Sequence, residues 1–314
     1  MIKTKKKQNN LSYWLTIGLI SQLITSPNVS IMKVILASLD PTTFNFLRAG
    51  VCVIVATPFV VWHWRKLRRT NVVYAIGAGI CTAISMTVFT YAIQQSQASY
   101  VVIMSMLAPV MLVVLSRFFF QERIRLRAAA GVTLAALGAL AAVALPLIIG
   151  GKTIFAWYPL ATALSLLGCI FLPLATIFLR KSNEAGLPLT STQGISATVV
   201  MIISFTATYA INGTPVNFAT IPVQAWLGIV YCAVIVVFIA RVLNTASFER
   251  IGAAATSSLN YLGIVVALVI PITFLHETVS SATLIGGGII LIGVYLTEQH
   301  RKRHLRHQHL LRHL

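Results

Sequence analysis

The chain has 314 residues, of which 57% are hydrophobic and 10% charged, with mean hydropathy +0.86, a balance that excludes a water-soluble domain of this size. Its formal charge of +18 sits at the ends of apolar runs and lacks the interleaved aromatic platform of a nucleic-acid surface, so no nucleic-acid partner is expected. Short segments separate the apolar runs, leaving no soluble domain for a separate activity.

A hydrocarbon core about 30 Å thick takes roughly 20 apolar residues per helix. Runs of that length predict ten spans, at 12–33, 41–62, 71–93, 98–120, 127–149, 155–179, 188–211, 222–243, 251–274 and 280–297. A basic N-terminus, 1–11, precedes them and a basic, His-rich tail, 299–314, follows. Residues 1–24 share the basic and apolar regions of a signal peptide, but the apolar run continues past Pro27 to Leu39 without a small-residue cleavage site. The first helix is therefore expected to stay. With the N-terminus inside, all of the 24 Lys and Arg except Lys33, Arg48 and Lys152 fall on the cytoplasmic side, as the positive-inside bias requires. This predicts a multi-pass protein of a bacterial cytoplasmic membrane with both termini cytoplasmic. Its inner surface would attract anionic lipids by about 1 kcal/mol per basic residue.

The four cysteines, Cys52, Cys81, Cys169 and Cys232, lie inside predicted spans without metal-ligand spacing and read as small apolar residues. No metal or cofactor is expected.

The chain repeats itself. Lys33 and Pro41 recur as Arg180 and Pro188 at an offset of 147, and Glu122 recurs as Glu277 at an offset of 155. The entry "QASYVVIMSML" from Gln97 is echoed by "GAAATSSLNYL" from Gly252, and the extra residues fall in the polar loop Asn212–Pro222. Each copy, 12–150 and 151–298, holds five predicted helices. An odd number of spans makes the second copy enter from the opposite face, the inverted repeat of secondary transporters. The expected fold is thus an all-α integral membrane protein of ten transmembrane helices in two inverted five-helix repeats.

"SPNVSIMKVIL", "DPTTFNFLRAG" and "YAIQQSQASYVVIMSMLAPVMLVVLSRFFFQERI", with "LPLTSTQ" and "ERIGAAATSSLNYLGIVVALVIPITFLHETV" in the second copy, resemble an EamA-type member of the drug/metabolite transporter superfamily over nearly the whole chain. The resemblance implies helices 1–4 and 6–9 around a central cavity, helices 5 and 10 at the periphery, and export of amino acids or other small metabolites. The chain departs from the family where Pro109 of the first copy meets Gly263 and Ile264 in the second. A glycine there permits close helix approach but removes no backbone donor.

Polar side chains are costly in lipid, so a polar stripe must face protein or water. Gly18, Ser21, Gln22, Thr25 and Asn28 share a face of span 1 at 100° per residue. Span 6 carries Thr162, Ser165, Cys169, Pro173 and Thr176; span 3, Thr87, Tyr91 and Gln94; span 9, Thr256, Asn260 and Gly263. Ser and Thr in such stripes often serve helix packing or bond the i−4 carbonyl. Gln22, Thr25, Asn28, Arg48, Tyr91, Tyr231, Asn260 and Tyr261 are the candidate substrate-binding residues. Pro27, Pro109 and Pro173 are candidate helix breaks or gates: each removes a backbone donor, and the bland alternative is a kink that improves packing.

Of the outer cations, Lys33 can snorkel to the headgroups. Arg48 lies about 10 Å along its helix from Pro41. It could bind a substrate carboxylate bidentately, or pair with Asp40 or a helix-end carbonyl to hold an outer gate.

Asp40, Glu122, Glu184, Glu249, Glu277 and Glu298 all map to loops or span ends. Glu122 and Glu277 read as anchors for the following turn. Without a buried acid there is no conventional proton relay, which argues against the Glu-driven antiport of small multidrug carriers and favours a facilitator or exchanger. An intramembrane enzyme would need a nucleophile and base, or a metal set, on facing helices; His63 and His276 lie at opposite span ends, so no enzyme is expected. The remaining alternatives are export of drug-like cations or lipid-like substrates, and a scaffold that transports nothing. Ala128, Gly131, Ala135 and Gly138 of span 5, with Gly286, Gly287, Gly288 and Gly293 of span 10, allow close helix approach. They serve a weak homodimer contact or dock each half's last helix onto its own bundle. The tail His300, His304, His307, His309 and His313 reads as solvated or lipid-facing, with metal binding as the alternative.

Overall fold

The computed structural model describes residues 2–120, 130–131, 133–138, 140–141, 158–213, 218, 221–240, 243, 263, 265–279, 281, 284–293 and 295. In chain order the helices are α1 (Ile2–Thr25), α2 (Asn28–Ile35), α3 (Pro41–Trp62), α4 (Arg69–Gln95), α5 (Ala98–Ser105) and α6 (Ala108–Phe120). Then follow α7 (Pro159–Glu184), α8 (Leu189–Asn212) and α9 (Val223–Val230), which passes directly into a π-helix, Tyr231–Ala240. Two short apolar helices follow, α10 (Val265–Phe274) and α11 (Leu284–Gly293).

Among the described residues, six stretches are long and apolar enough to cross a membrane: Tyr13–Ile35, Pro41–Trp62, Arg69–Gln95, Pro159–Glu184, Leu189–Ile211 and Val223–Ala240. They correspond to predicted spans 1, 2, 3, 6, 7 and 8. Span 4 is divided at Met106 and Leu107, whose amides reach back only to Ile103 and Met104. Pro109 then occupies the second position of α6, where a missing N–H is tolerated. Spans 5, 9 and 10 are described only in part, and the tail after Tyr295 lies outside the described residues.

Local chemistry sets the ends. Pro41 and Pro159 open α3 and α7, where a fixed φ is already helical and no donor is lost. Span 6 therefore begins later than its hydropathy suggests, and α7 runs on through Arg180 and Glu184, which form an i,i+4 ion pair at 2.8 Å. Gly213, with φ of 66°, closes α8 by donating its amide to Tyr209, a conformation a side chain would resist.

The described chain forms two compact units: 1–27, 102–157 and 240–314 in one, and 28–101 with 158–239 in the other. In the second unit α4 lies against α7 and α8, α3 against α8, and α9 against α2 and α3. Small residues allow this closeness. A Cβ on Gly79 would stand 2.6 Å from Val199, and one on Gly194 would stand 2.6 Å from Val60. The apolar core of this unit gathers Met32, Ile35, Phe44, Leu47, Ile93, Val101, Ile229 and Cys232. Ser165, Ser182, Ser191 and Thr192 are fully buried, whereas Ile54, Leu160, Ile202, Val223 and Leu227 point outward. That inversion follows from the solvent: lipid tails compete with Leu for nothing, so interiors are built from small and hydrogen-bonding residues.

In the first unit, a Cβ on Gly138 would meet the amide nitrogen of Ile290 at 2.6 Å, and Gly293 faces Ala135 and Gly131 as closely. The small residues of spans 5 and 10 thus pack against each other inside one unit, a use the sequence pattern did not anticipate.

Candidate functional site

The site is built on the first two turns of α3. Asp40 caps that helix, its Oδ2 accepting from the Thr43 amide at 2.8 Å and the Thr42 hydroxyl at 2.6 Å, which satisfies an orphan donor at the helix start. Asn45 and Arg48, three residues apart, then project from one face. Arg48 is only 5% exposed. Its Nη1 lies 3.7 Å from the Met32 sulfur and its Nη2 3.4 Å from Asn45 Oδ1, and its guanidinium sits 5.1 Å from the Phe44 ring centroid. The thiols of Cys52 and Cys232 are near enough to interact with it electrostatically.

Every one of these neighbours is formally neutral, and both hydrogen bonds are long. Among the described residues no carboxylate stands within ion-pair distance of Arg48; the ion pair present is Arg180–Glu184 at the end of α7. A guanidinium carries five donors and no acceptor, and a charge in the membrane interior costs about 3 kcal/mol or more when unpaired. Asn45 deepens the imbalance. It is 1% exposed, its Oδ1 also accepts from Thr90 Oγ1 at 3.2 Å, and its Nδ2 is buried with no partner. Asn28 donates to the same Met32 sulfur at 3.5 Å, while its Oδ1 and the nearby Ser30 hydroxyl are also without partners. Buried polar atoms are normally satisfied. The guanidinium and the Asn45 Nδ2 are donors that suit an anion, and a planar carboxylate above all, while the Asn28 Oδ1 is an acceptor open to a donor.

Two expectations are corrected here. Lys33 does more than snorkel: its Nζ donates to the carbonyls of Ile93, Gln94 and Ser96 at 2.9, 3.2 and 2.6 Å. These lie at the C-terminal end of α4, where the orphan carbonyls and the helix dipole favour a cation. Asp40 is committed to capping α3 and makes no ion pair with Arg48. Because three charge-assisted bonds hold the end of α4, Lys33→Met is expected to lower folding stability by about 1.5–3 kcal/mol, read as a fall in the Tm of the detergent-solubilised protein.

The other candidates are dispersed. Gln22 and Thr25 belong to the other unit, on α1. Thr25 bonds back to the carbonyls of Ser21 and Gln22 at 3.1 and 3.0 Å, the packing use of a membrane threonine. Gln22 and Ser26 seat on span 9: the Ser26 hydroxyl donates to the Gly263 carbonyl at 3.0 Å, and Gln22 Oε1 lies 2.7 Å from where a Gly263 Cβ would be. That close approach explains glycine at the place where the first copy has proline. Pro27 falls in the turn dividing α1 from α2, at the point where the chain passes between units. Pro173, in contrast, lies buried within an unbroken α7. Tyr91 on α4 and Tyr231 at the head of the π-helix are half-buried, the latter against the apolar core of the Arg48 unit. Asn260, Tyr261 and Glu122 lie outside the described residues. Glu277 follows α10 and donates its amide to the Pro271 carbonyl.

Asn45 and Met32 were missed by the sequence reading. The i,i+3 spacing to Arg48 could have found Asn45; a thioether has no comparable signal. The π-helix also escaped it, since "YCAVIVVFIA" holds neither Gly nor Pro. Its widened turn receives side-chain donors on backbone carbonyls: Cys52 Sγ reaches Ala233 O at 3.4 Å and Gln193 Nε2 reaches Val237 O at 2.9 Å. Such insertions recur at functional sites.

A solved crystal structure, described only as that of a protein, is 18% identical to this chain and matches 93% of it and 98% of its own length with a TM-score of 0.60. At that identity the likeness is one of fold. No curated protein matches. The EamA-like transporter family matches residues 12–144 and again residues 159–298. Two copies of a transporter repeat covering most of an all-helical chain of membrane-spanning segments leave one conclusion: the chain belongs to the EamA-like transporter family, a family of membrane transporters.

Proposed function

We propose that the protein is a secondary carrier that exports small metabolites, amino acids or related carboxylates with apolar side chains, across a bacterial cytoplasmic membrane. In this reading ten helices form two inverted five-helix repeats, both termini are cytoplasmic, and the halves rock around the substrate in alternating access. It acts as a monomer or weak homodimer in a bilayer containing anionic lipids. The observation that carries the substrate class is the buried Arg48, whose partners among the described residues are neutral groups, beside the unpartnered Nδ2 of Asn45. A substrate carboxylate would accept from both. Met32, Phe44 and Tyr231 supply apolar and aromatic surface near this pole. An organic cation would meet an uncompensated positive charge there, so export of drug-like cations is the weaker alternative.

Counterflow tests this function. Proteoliposomes loaded with an unlabelled mixture of L-amino acids are expected to accumulate radiolabelled amino acids transiently from outside, above empty liposomes. Counterflow needs no ion gradient, which suits a chain whose acids map to span ends. A flat trace from folded protein would overturn the amino-acid reading and turn attention to lipid-like substrates.

A further inference from the structure

The Arg48 guanidinium rests against a thioether sulfur at 3.7 Å and an amide oxygen at 3.4 Å. A thioether is a weak acceptor on a flexible side chain, easily displaced by a carboxylate but a poor substitute for one. The described acids of the same unit are engaged elsewhere: Asp40 caps α3 and Glu184 pairs with Arg180. A carrier that alternates its access must pass through an occluded state in which water has left the site. There an unpaired guanidinium loses its hydration with nothing to compensate, whereas a guanidinium bearing a carboxylate is both neutralised and hydrogen-bonded. The loaded site therefore crosses that state more readily than the empty one.

We infer that Arg48 makes this carrier an exchanger: the site changes sides with a carboxylate bound to the guanidinium, and the empty site returns slowly. This rests on the alternating-access reading of the function above and deepens it. Arg48 is then more than a handle for substrate. It is the group that couples efflux of one carboxylate to entry of another, without a proton or a metal ion.

Proteoliposomes loaded with a radiolabelled L-amino acid mixture provide the test. Efflux into medium containing the same mixture unlabelled should exceed efflux into substrate-free medium by about tenfold or more, equivalent to ~1.4 kcal/mol of barrier. Primary amines that are the decarboxylated counterparts of those amino acids should not accelerate it. In Arg48→Gln the two efflux rates should converge, while Arg48→Lys, which keeps the charge, should retain a preference for exchange. Equal rates in the wild-type carrier, equal acceleration by the amines, or an undiminished preference in Arg48→Gln would each overturn the inference. If Arg48→Gln carries no flux, the two wild-type comparisons decide alone. Counterflow with equal efflux rates would leave the proposed function standing and remove this inference; absence of counterflow would remove both.

Discussion

Arg48→Ala is expected to reduce transport in proteoliposomes by about ten- to a hundredfold at equal incorporation, chiefly through a rise in KM. The estimate follows from losing charge-assisted hydrogen bonds to a carboxylate, worth about 1.5–3 kcal/mol. Lys33→Ala should leave KM close to wild type although it weakens the protein, because Lys33 is spent on the carbonyls of Ile93, Gln94 and Ser96. The two cations lie on the same side of the predicted topology and within sixteen residues of each other, so a general effect of outer-side charge would move both alike. Equal KM in the two variants would take Arg48 out of the binding site. Arg48→Ala has a structural side as well, since it relieves a buried charge; a higher Tm with lower transport would be the signature of a residue kept for function at a cost in stability.

The second large effect lies in the other unit. Gly293→Leu should abolish the folded, monodisperse protein in detergent, because a side chain there would collide with the backbone nitrogen of Ala135 and stand 2.7 Å from the Gly131 carbonyl oxygen. Overpacking an ordinary core costs about 1–3 kcal/mol; here the obstacle is backbone, which cannot rotate aside. Gly288→Leu, on the same helix α11, is the control. Nothing lies within 4 Å of a Cβ at that position, and size-exclusion chromatography should show a wild-type peak. If Gly293→Leu elutes as wild type too, spans 5 and 10 do not rely on that contact.

Some of this was legible in the chain itself. The apolar runs, the duplicated landmarks and the placement of Lys and Arg pointed to a helical membrane protein of repeated halves, because bilayer thickness and charge bias act on the sequence directly and leave one-dimensional marks. Pro41 told where a helix starts, since a missing donor is harmless there, whereas hydropathy ran span 4 through Pro109 and began span 6 ahead of Pro159. Arg48 stood out for the same kind of reason, as a charge where charge is expensive.

The roles of particular polar residues were a different matter. Sequence could offer snorkelling for Lys33 and an ion pair for Arg48 with Asp40; three carbonyls of α4 claim the first, and the cap of α3 claims the acid. Stripe membership did not separate Thr25, bonded to its own helix, from Asn28, whose Oδ1 is buried without a partner. Nor did it reveal Asn45, the π-turn after Val230, or the mutual packing of spans 5 and 10.

By itself, then, the sequence determined the solvent, the helical class and the unusual cost of one buried cation, all properties of residues against a bilayer. Which donors find acceptors depends on distances between helices remote in the chain, and hydrogen bonds act only across about three ångströms. Tertiary structure therefore decided that Lys33 is satisfied and Arg48 is left holding a sulfur and an amide oxygen.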